Sequence, residues 1–233
     1  MKNPARLAVL VSGGGTNLQS LLDHFNSPES PVARVTLVIS NRASAGGLER
    51  ARLAGVPTRV INPVQAGEEA AGAEMLEALN AAGIDMVALA GYLKLIPPAV
   101  VKAYTDRILN IHPALLPSFG GAGMYGARVH RAVIESGARV SGATVHLVDD
   151  HYDEGRILAQ WPVPVLPGDT EETLGGRVLK VEHLLYPLAI ERFLTGEGDA
   201  PVAPLEAFDL IADTRPPAES IGGLNYRIAL NNR

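Results

Sequence analysis

Short apolar runs alternate with segments of helical periodicity through the first half of the chain, and this alternation leaves few folds open. The runs fall at residues 7–11, 35–39, 58–61, 86–90 and 108–111. Between them, residues 18–25, 48–54 and 68–82 and a short stretch after Pro97-Pro98 carry helical patterns. Strands that are apolar along their whole length must be covered on both faces, which predicts a mostly parallel sheet with right-handed helical crossovers. The first half therefore reads as doubly wound α/β.

The second half changes character. Residues 128–135 read as helix, 140–148 alternate as a strand, 156–165 are extended, and 170–194 form a long helical pattern. Two strands with no helix between them predict an antiparallel edge on the parallel sheet. After Thr195 a Gly/Pro/Ala-rich stretch at 196–204 resembles a linker, and only short apolar patches such as 208–211 follow. Residues 1–195 are expected to be one domain and 196–233 a C-terminal extension packed on it or on a partner.

Composition narrows the function classes. A chain of 233 residues with 47% hydrophobic content can bury a full core. Its net charge of -5 argues against a protein devoted to nucleic acid, while leaving room for local basic pockets that hold small phosphorylated ligands. Cysteine is absent, so disulfides, thiolate nucleophiles and Cys-containing zinc sites are excluded together. No apolar run approaches the ~20 residues of a membrane span, and the first residues lack a signal-peptide pattern. A cytoplasmic protein without a membrane partner is expected.

Three places could carry chemistry. The run Leu109-Asn110-Ile111-His112-Pro113 ends the fifth apolar segment. If residues 107–111 are a strand, side chains two apart share a face, so Asn110 and His112 enter one cleft and can hold a developing oxyanion. The turn Ser12-Gly13-Gly14-Gly15-Thr16-Asn17 precedes a helix and suits an anion held on free backbone N–H groups, although it is no Walker loop. The alternative is a tight turn capped by Thr16 or Asn17. The loop Asp149-Asp150-His151-Tyr152-Asp153-Glu154-Gly155 reads as a solvated loop or a metal site. One of its carboxylates folded back on His112 would raise the imidazole pKa and favour the imidazolium. His146 supports that loop or is a buried structural residue. Arg177, Lys180, Glu182 and His183 read as the solvated face of the last helix, with Glu182 of interest if the helix borders the cleft.

Taken together, the glycine turn, the Asn-x-His-Pro segment, the stretch from Thr144 to Gly155 and Glu182-His183-Leu184-Leu185-Tyr186-Pro187 resemble the phosphoribosylglycinamide formyltransferases of purine synthesis, over residues 7–193. The resemblance implies a Rossmann-like formyltransferase fold. It also implies formyl transfer from 10-formyltetrahydrofolate, a co-substrate, to the amine of glycinamide ribonucleotide, with no metal. By the same resemblance, Asn110, His112 and Asp153 are the catalytic trio, and Gly15, Thr16, Asn17 and Glu182 hold the ribonucleotide. Folate is expected against Leu89, Tyr92, Leu93, Lys94, Leu95, Ile96, Asn110, Asp149 and Asp153. Small molecules are the expected partners, and a homodimer is compatible with the reading.

The chain departs from the family pattern in places. Residues 120–130 form a loop longer than usual, expected to alter the wall near the substrates. The helix at 68–82 lacks the Arg that some members use for the folate glutamate tail, and Leu179 stands where relatives often carry a polar residue. Other formyl enzymes, methionyl-tRNA formyltransferase and formyltetrahydrofolate deformylase, share the Asn-x-His logic but normally carry a further domain. A non-catalytic nucleotide-binding module would leave Asn110, His112 and Asp153 unexplained.

Overall fold

The structure is a computed structural model and describes residues 3–28, 30 and 32–196. Apart from Gly196, the expected C-terminal extension and its patch at 208–211 lie outside the described residues. The elements run β1 (Ala5–Val11), α1 (Thr16–Phe25), β2 (Ala33–Ser40), α2 (Gly46–Leu53), β3 (Thr58–Val60), α3 (Pro63–Ala66), α4 (Glu68–Ala81) and β4 (Met86–Leu89). They continue with α5 (Pro98–Ala103), β5 (Ile108–His112), α6 (Ala127–Glu135), β6 (Val140–Leu147), β7 (Ile157–Pro164) and α7 (Glu171–Thr195). The short α3 has no counterpart in the sequence reading; Pro63 starts it and the Asn62 side chain caps it.

The strands form one sheet in the order β3-β2-β1-β4-β5-β6-β7. The first five pair in parallel, and β6 and β7 add antiparallel to β5 and to each other. Both the doubly wound half and the antiparallel edge match the sequence expectation. After β1 the chain moves first to one side (β2, β3) and then to the other (β4, β5). The loops leaving β1 and β4 therefore diverge and open a crevice at the carboxyl ends of the strands.

The strand apolarity has its expected cause. Leu7, Ala8, Val9, Leu10 and Val11 are all fully buried, because alternate side chains enter two different cores. One core packs α1 and α7 against the sheet through Leu18, Leu21, Phe25, Val178 and Tyr186. The other holds Met75, Leu79, Val100 and Tyr104 under α4 and α5. Each buried Leu or Phe stabilises by roughly 1.5–3 kcal/mol. Tyr186 also fixes α7 in register: its hydroxyl lies 2.9 Å from the Leu109 carbonyl oxygen and 3.1 Å from that of Leu89. That bond ties the helix to β5 and β4 one turn beyond Glu182.

The start of α7 is equally specified. Thr170 and Thr173 form a reciprocal capping box. Arg177, expected on a solvated face, instead turns inward. Its guanidinium grips both oxygens of Asp169 at 2.7 and 2.9 Å and donates to the Pro164 carbonyl at 2.8 Å. Asp169 also accepts from Leu166 N–H and Thr173 Oγ1. Helical spacing could not reveal this, since the partner lies in the turn before the helix.

Candidate active site

The crevice is a cavity of about 510 Å³, within the range of small-molecule sites. Its walls come from the β4 and β5 ends, the loop after β6, the residues before α6 and one face of α7. Asn110, His112, Asp153, Asn17, Glu182 and Asp149 all line it, as do Leu89, Tyr92, Leu93, Lys94, Leu95 and Ile96. Gly15 and Thr16 do not; they lie at the start of α1 beyond the cavity wall.

Strand geometry produces the centre. Asn110 and His112 sit two apart on β5 and face the cavity together. In the antiparallel register, His146 lies opposite Asn110 and Thr144 opposite His112. Thr144 Oγ1 donates to the Ala114 carbonyl at 2.6 Å and accepts from Leu116 N–H at 3.0 Å, which fixes the chain leaving His112. Asp153 then folds back from the following loop with φ 59, a left-handed conformation that Asp and Asn tolerate better than most side chains. Its Oδ2 lies 3.5 Å from His112 Nδ1 and accepts from Gly121 N–H at 2.9 Å. Its Oδ1 lies 3.5 Å from both His146 Nε2 and Asn110 Nδ2. Of the loop carboxylates, Asp149 instead accepts from His151 N–H as a local turn. No three His, Asp or Glu side chains are arranged to hold a metal ion among the described residues.

His146 is the residue that sequence reading undervalued. It is buried, and its Nδ1 lies 2.7 Å from the Leu147 carbonyl, so Nδ1 carries the proton. Its Nε2 then accepts from Asn110 Nδ2 at 3.1 Å, which decides which way the amide points. One Asn110 N–H is thereby fixed. The other faces Asp153 across a contact at the limit of hydrogen bonding, where an oxyanion could draw it away. The Thr144/His146 alternation was visible in sequence, but the antiparallel register that sets His146 against Asn110 was not.

The electrostatics correct one expectation. A carboxylate beside His112 was expected to raise its pKa, yet the imidazole sits below its ordinary value. Burial is the largest cause, and neighbouring His146 adds to it; Asp153 and the Phe119 carbonyl, 2.9 Å from Nε2, oppose it without winning. Both ring nitrogens nonetheless face oxygen acceptors, so a proton gained there finds partners at once. Burial likewise pushes the Asp153 carboxyl up, but the neighbouring imidazoles of His146 and His112 and the Gly121 N–H outweigh it and hold the group below the usual carboxylate value. The result is a carboxylate poised beside an imidazole that is neutral until something stabilises its charge.

On the opposite wall, Asn17 Nδ2 donates to Glu182 Oε2 at 2.6 Å, joining α1 to α7. Burial raises the Glu182 carboxyl, and the Asn17 bond only partly offsets this. Neither Thr16 nor Asn17 caps α1. The cap is Gly15 at φ 74, with no side-chain bond. A Cβ on Gly15 would stand 2.6 Å from Gly47 Cα, so glycine is required both by conformation and by the close approach of α2. The first N–H groups of α1 have no intrahelical partner and remain available to an anion. The loop before α6 contributes Met124, Tyr125 and Gly126 to the wall, the first turn of α6 adds His130, and Leu179 also faces the cavity.

The family described as formyl transferase matches residues 5–190. The chain belongs to the formyl transferase family. Among relatives of this formyl transferase, the chloroplastic phosphoribosylglycinamide formyltransferase of Arabidopsis thaliana is 50% identical over 185 residues, covering 78% of this chain and 62% of that protein. The phosphoribosylglycinamide formyltransferase of Escherichia coli is 39% identical over 191 residues, covering 82% of this chain and 87% of that one. The crystal structure of glycinamide ribonucleotide transformylase 1 from Symbiobacterium toebii superposes with a TM-score of 0.78 at 46% identity, covering 84% of this chain and 90% of that one. The chain thus spans about three fifths of the chloroplastic relative's length and most of the bacterial ones.

Proposed function

We propose that this formyl transferase moves the formyl group of 10-formyltetrahydrofolate to the amine of 5'-phosphoribosylglycinamide, giving the N-formyl product and tetrahydrofolate in purine biosynthesis. The observation that carries the reading is the convergence of Asn110, His112 and Asp153 in one cavity, with the glycine turn and Glu182 to one side and the 89–96 segment to the other. The family match and the names of the bacterial relatives support the same substrates.

The uncharged amine attacks the formyl carbon, and the C=O electrons move to oxygen. The Asn110 N–H that faces Asp153 across the long contact and an N–H of His112 stabilise that oxyanion, a contribution of roughly 3–4 kcal/mol per donor in sites of this type. The ammonium nitrogen formed by the attack gives a proton to the His112 imidazole, whose charge Asp153 then holds. Collapse of the adduct breaks the bond between carbon and the folate nitrogen, and the imidazolium passes that proton to the departing nitrogen. The ribonucleotide phosphate lies at the α1 N-terminus with Glu182 on its sugar side, and folate lies along the 89–96 segment with Asp149 at its edge.

Acceptor dependence is the deciding experiment. Full-length protein given both substrates without added metal should form formylated ribonucleotide in step with released tetrahydrofolate. Hydrolysis of the folate at the same rate with the acceptor omitted would instead assign a deformylase.

A further inference from the structure

We infer that Ser12 is a positioning residue that ties the ribonucleotide turn to the folate segment, so that each substrate loop holds the other in place. This rests on the two-substrate reading above. Ser12 ends the β1 side of the glycine turn and is 2% exposed. Its hydroxyl donates to Asn41 Oδ1 at 2.6 Å and accepts from Leu93 N–H at 2.9 Å. Its own N–H donates to the Gly91 carbonyl at 3.1 Å. One side chain therefore joins the ends of β1 and β2 to the loop after β4, at the switch point where these loops leave the sheet and diverge.

The bonds leave little slack. The hydroxyl has one proton, spent on Asn41, and a lone pair spent on Leu93; Asn41 is itself 5% exposed. Leu93 begins the stretch Leu93, Lys94, Leu95, Ile96 on the cavity wall, and its backbone N–H is held by this hydroxyl. Removing the Ser12 oxygen orphans the buried Asn41 Oδ1 and the partly buried Leu93 N–H together. Both loops can then relax away from the cavity.

Ser12→Ala in the full chain tests the inference. The expected result is a rise of about tenfold in KM for both substrates, with kcat reduced less, and recovery of both KM values in Ser12→Thr, which restores the hydroxyl. A loss of thermal stability with both KM values unchanged, or a change confined to one substrate, would overturn the tie while leaving the formyl-transfer reading intact. Wild-type protein that turns over neither substrate would remove that reading and the inference with it. Should both variants fail to fold, amide exchange in the wild-type protein decides. Glycinamide ribonucleotide alone should slow exchange at Leu93, and an unchanged Leu93 rate at saturating ribonucleotide would overturn the tie.

Discussion

Asp153 Oδ2 stands 3.5 Å from His112 Nδ1, although His112 ends β5 while the aspartate lies in the loop after β6 and reaches its place only through a backbone φ of 59. That relationship makes the centre chemically asymmetric. The carboxylate stays charged, while the imidazole is held neutral by burial until a negative charge forms nearby.

Replacing Asp153 by Asn should isolate the charge, because Asn tolerates the same left-handed backbone and keeps an oxygen for Gly121 N–H. We expect kcat to fall by about 10²–10³ with each KM within a few-fold of wild type. Steady-state kinetics in both substrates checks this; a matching loss of affinity with kcat preserved would contradict the role given to Asp153.

The His112 titration gives a second prediction. Since burial holds its folded pKa below the ordinary His value, the unfolded chain binds more protons between the two pKa values. The resulting stability is fully present above the ordinary pKa of about 6.5 and is lost as pH falls through the lower folded value. An NMR titration of the His112 ring should place its midpoint below that of an exposed His. In Asp153→Asn it should move lower still, because the carboxylate pushes it upward.

The Asp169–Arg177 pair should stabilise the fold with the same sign in a more acid window. The guanidinium holds the Asp169 carboxyl at about 2, below its unfolded value of 3.8. A depressed carboxyl contributes stability that is complete above 3.8 and is lost as pH falls towards 2. Asp169→Asn is expected to cost about 2–3 kcal/mol at neutral pH and to flatten the acid limb of the stability profile. Urea denaturation at several pH values measures both.

Two buried tyrosines should respond oppositely to the same deletion. Tyr186 shares its proton between two strand carbonyls, so Tyr186→Phe should destabilise by about 1 kcal/mol. The Tyr92 hydroxyl is buried without a hydrogen-bond partner among the described residues, and burial raises its pKa to about 12. Tyr92→Phe should therefore stabilise by about 1 kcal/mol, which thermal unfolding would register as a Tm shift of roughly 2–4 °C. A destabilised Tyr92→Phe would mean that the hydroxyl is bonded in solution.

Much of this was legible in the chain itself. Apolar runs without alternation could only be strands covered on both faces, so the parallel half and its crevice followed from residues 7–11, 35–39 and 86–90. The i, i+2 spacing of Asn110 and His112 was enough to put both side chains in one cleft, because strand periodicity is a local property. Relations between elements were not local, and only the fold decided them. The antiparallel register set His146 against Asn110, the turn before α7 gave Arg177 a buried partner, and the β1–β4 junction let one hydroxyl on Ser12 reach Asn41 and Leu93. Burial, which no spacing encodes, reversed the expected direction at His112: desolvation depends on everything packed around a side chain, whereas sequence reveals only its neighbours along the chain.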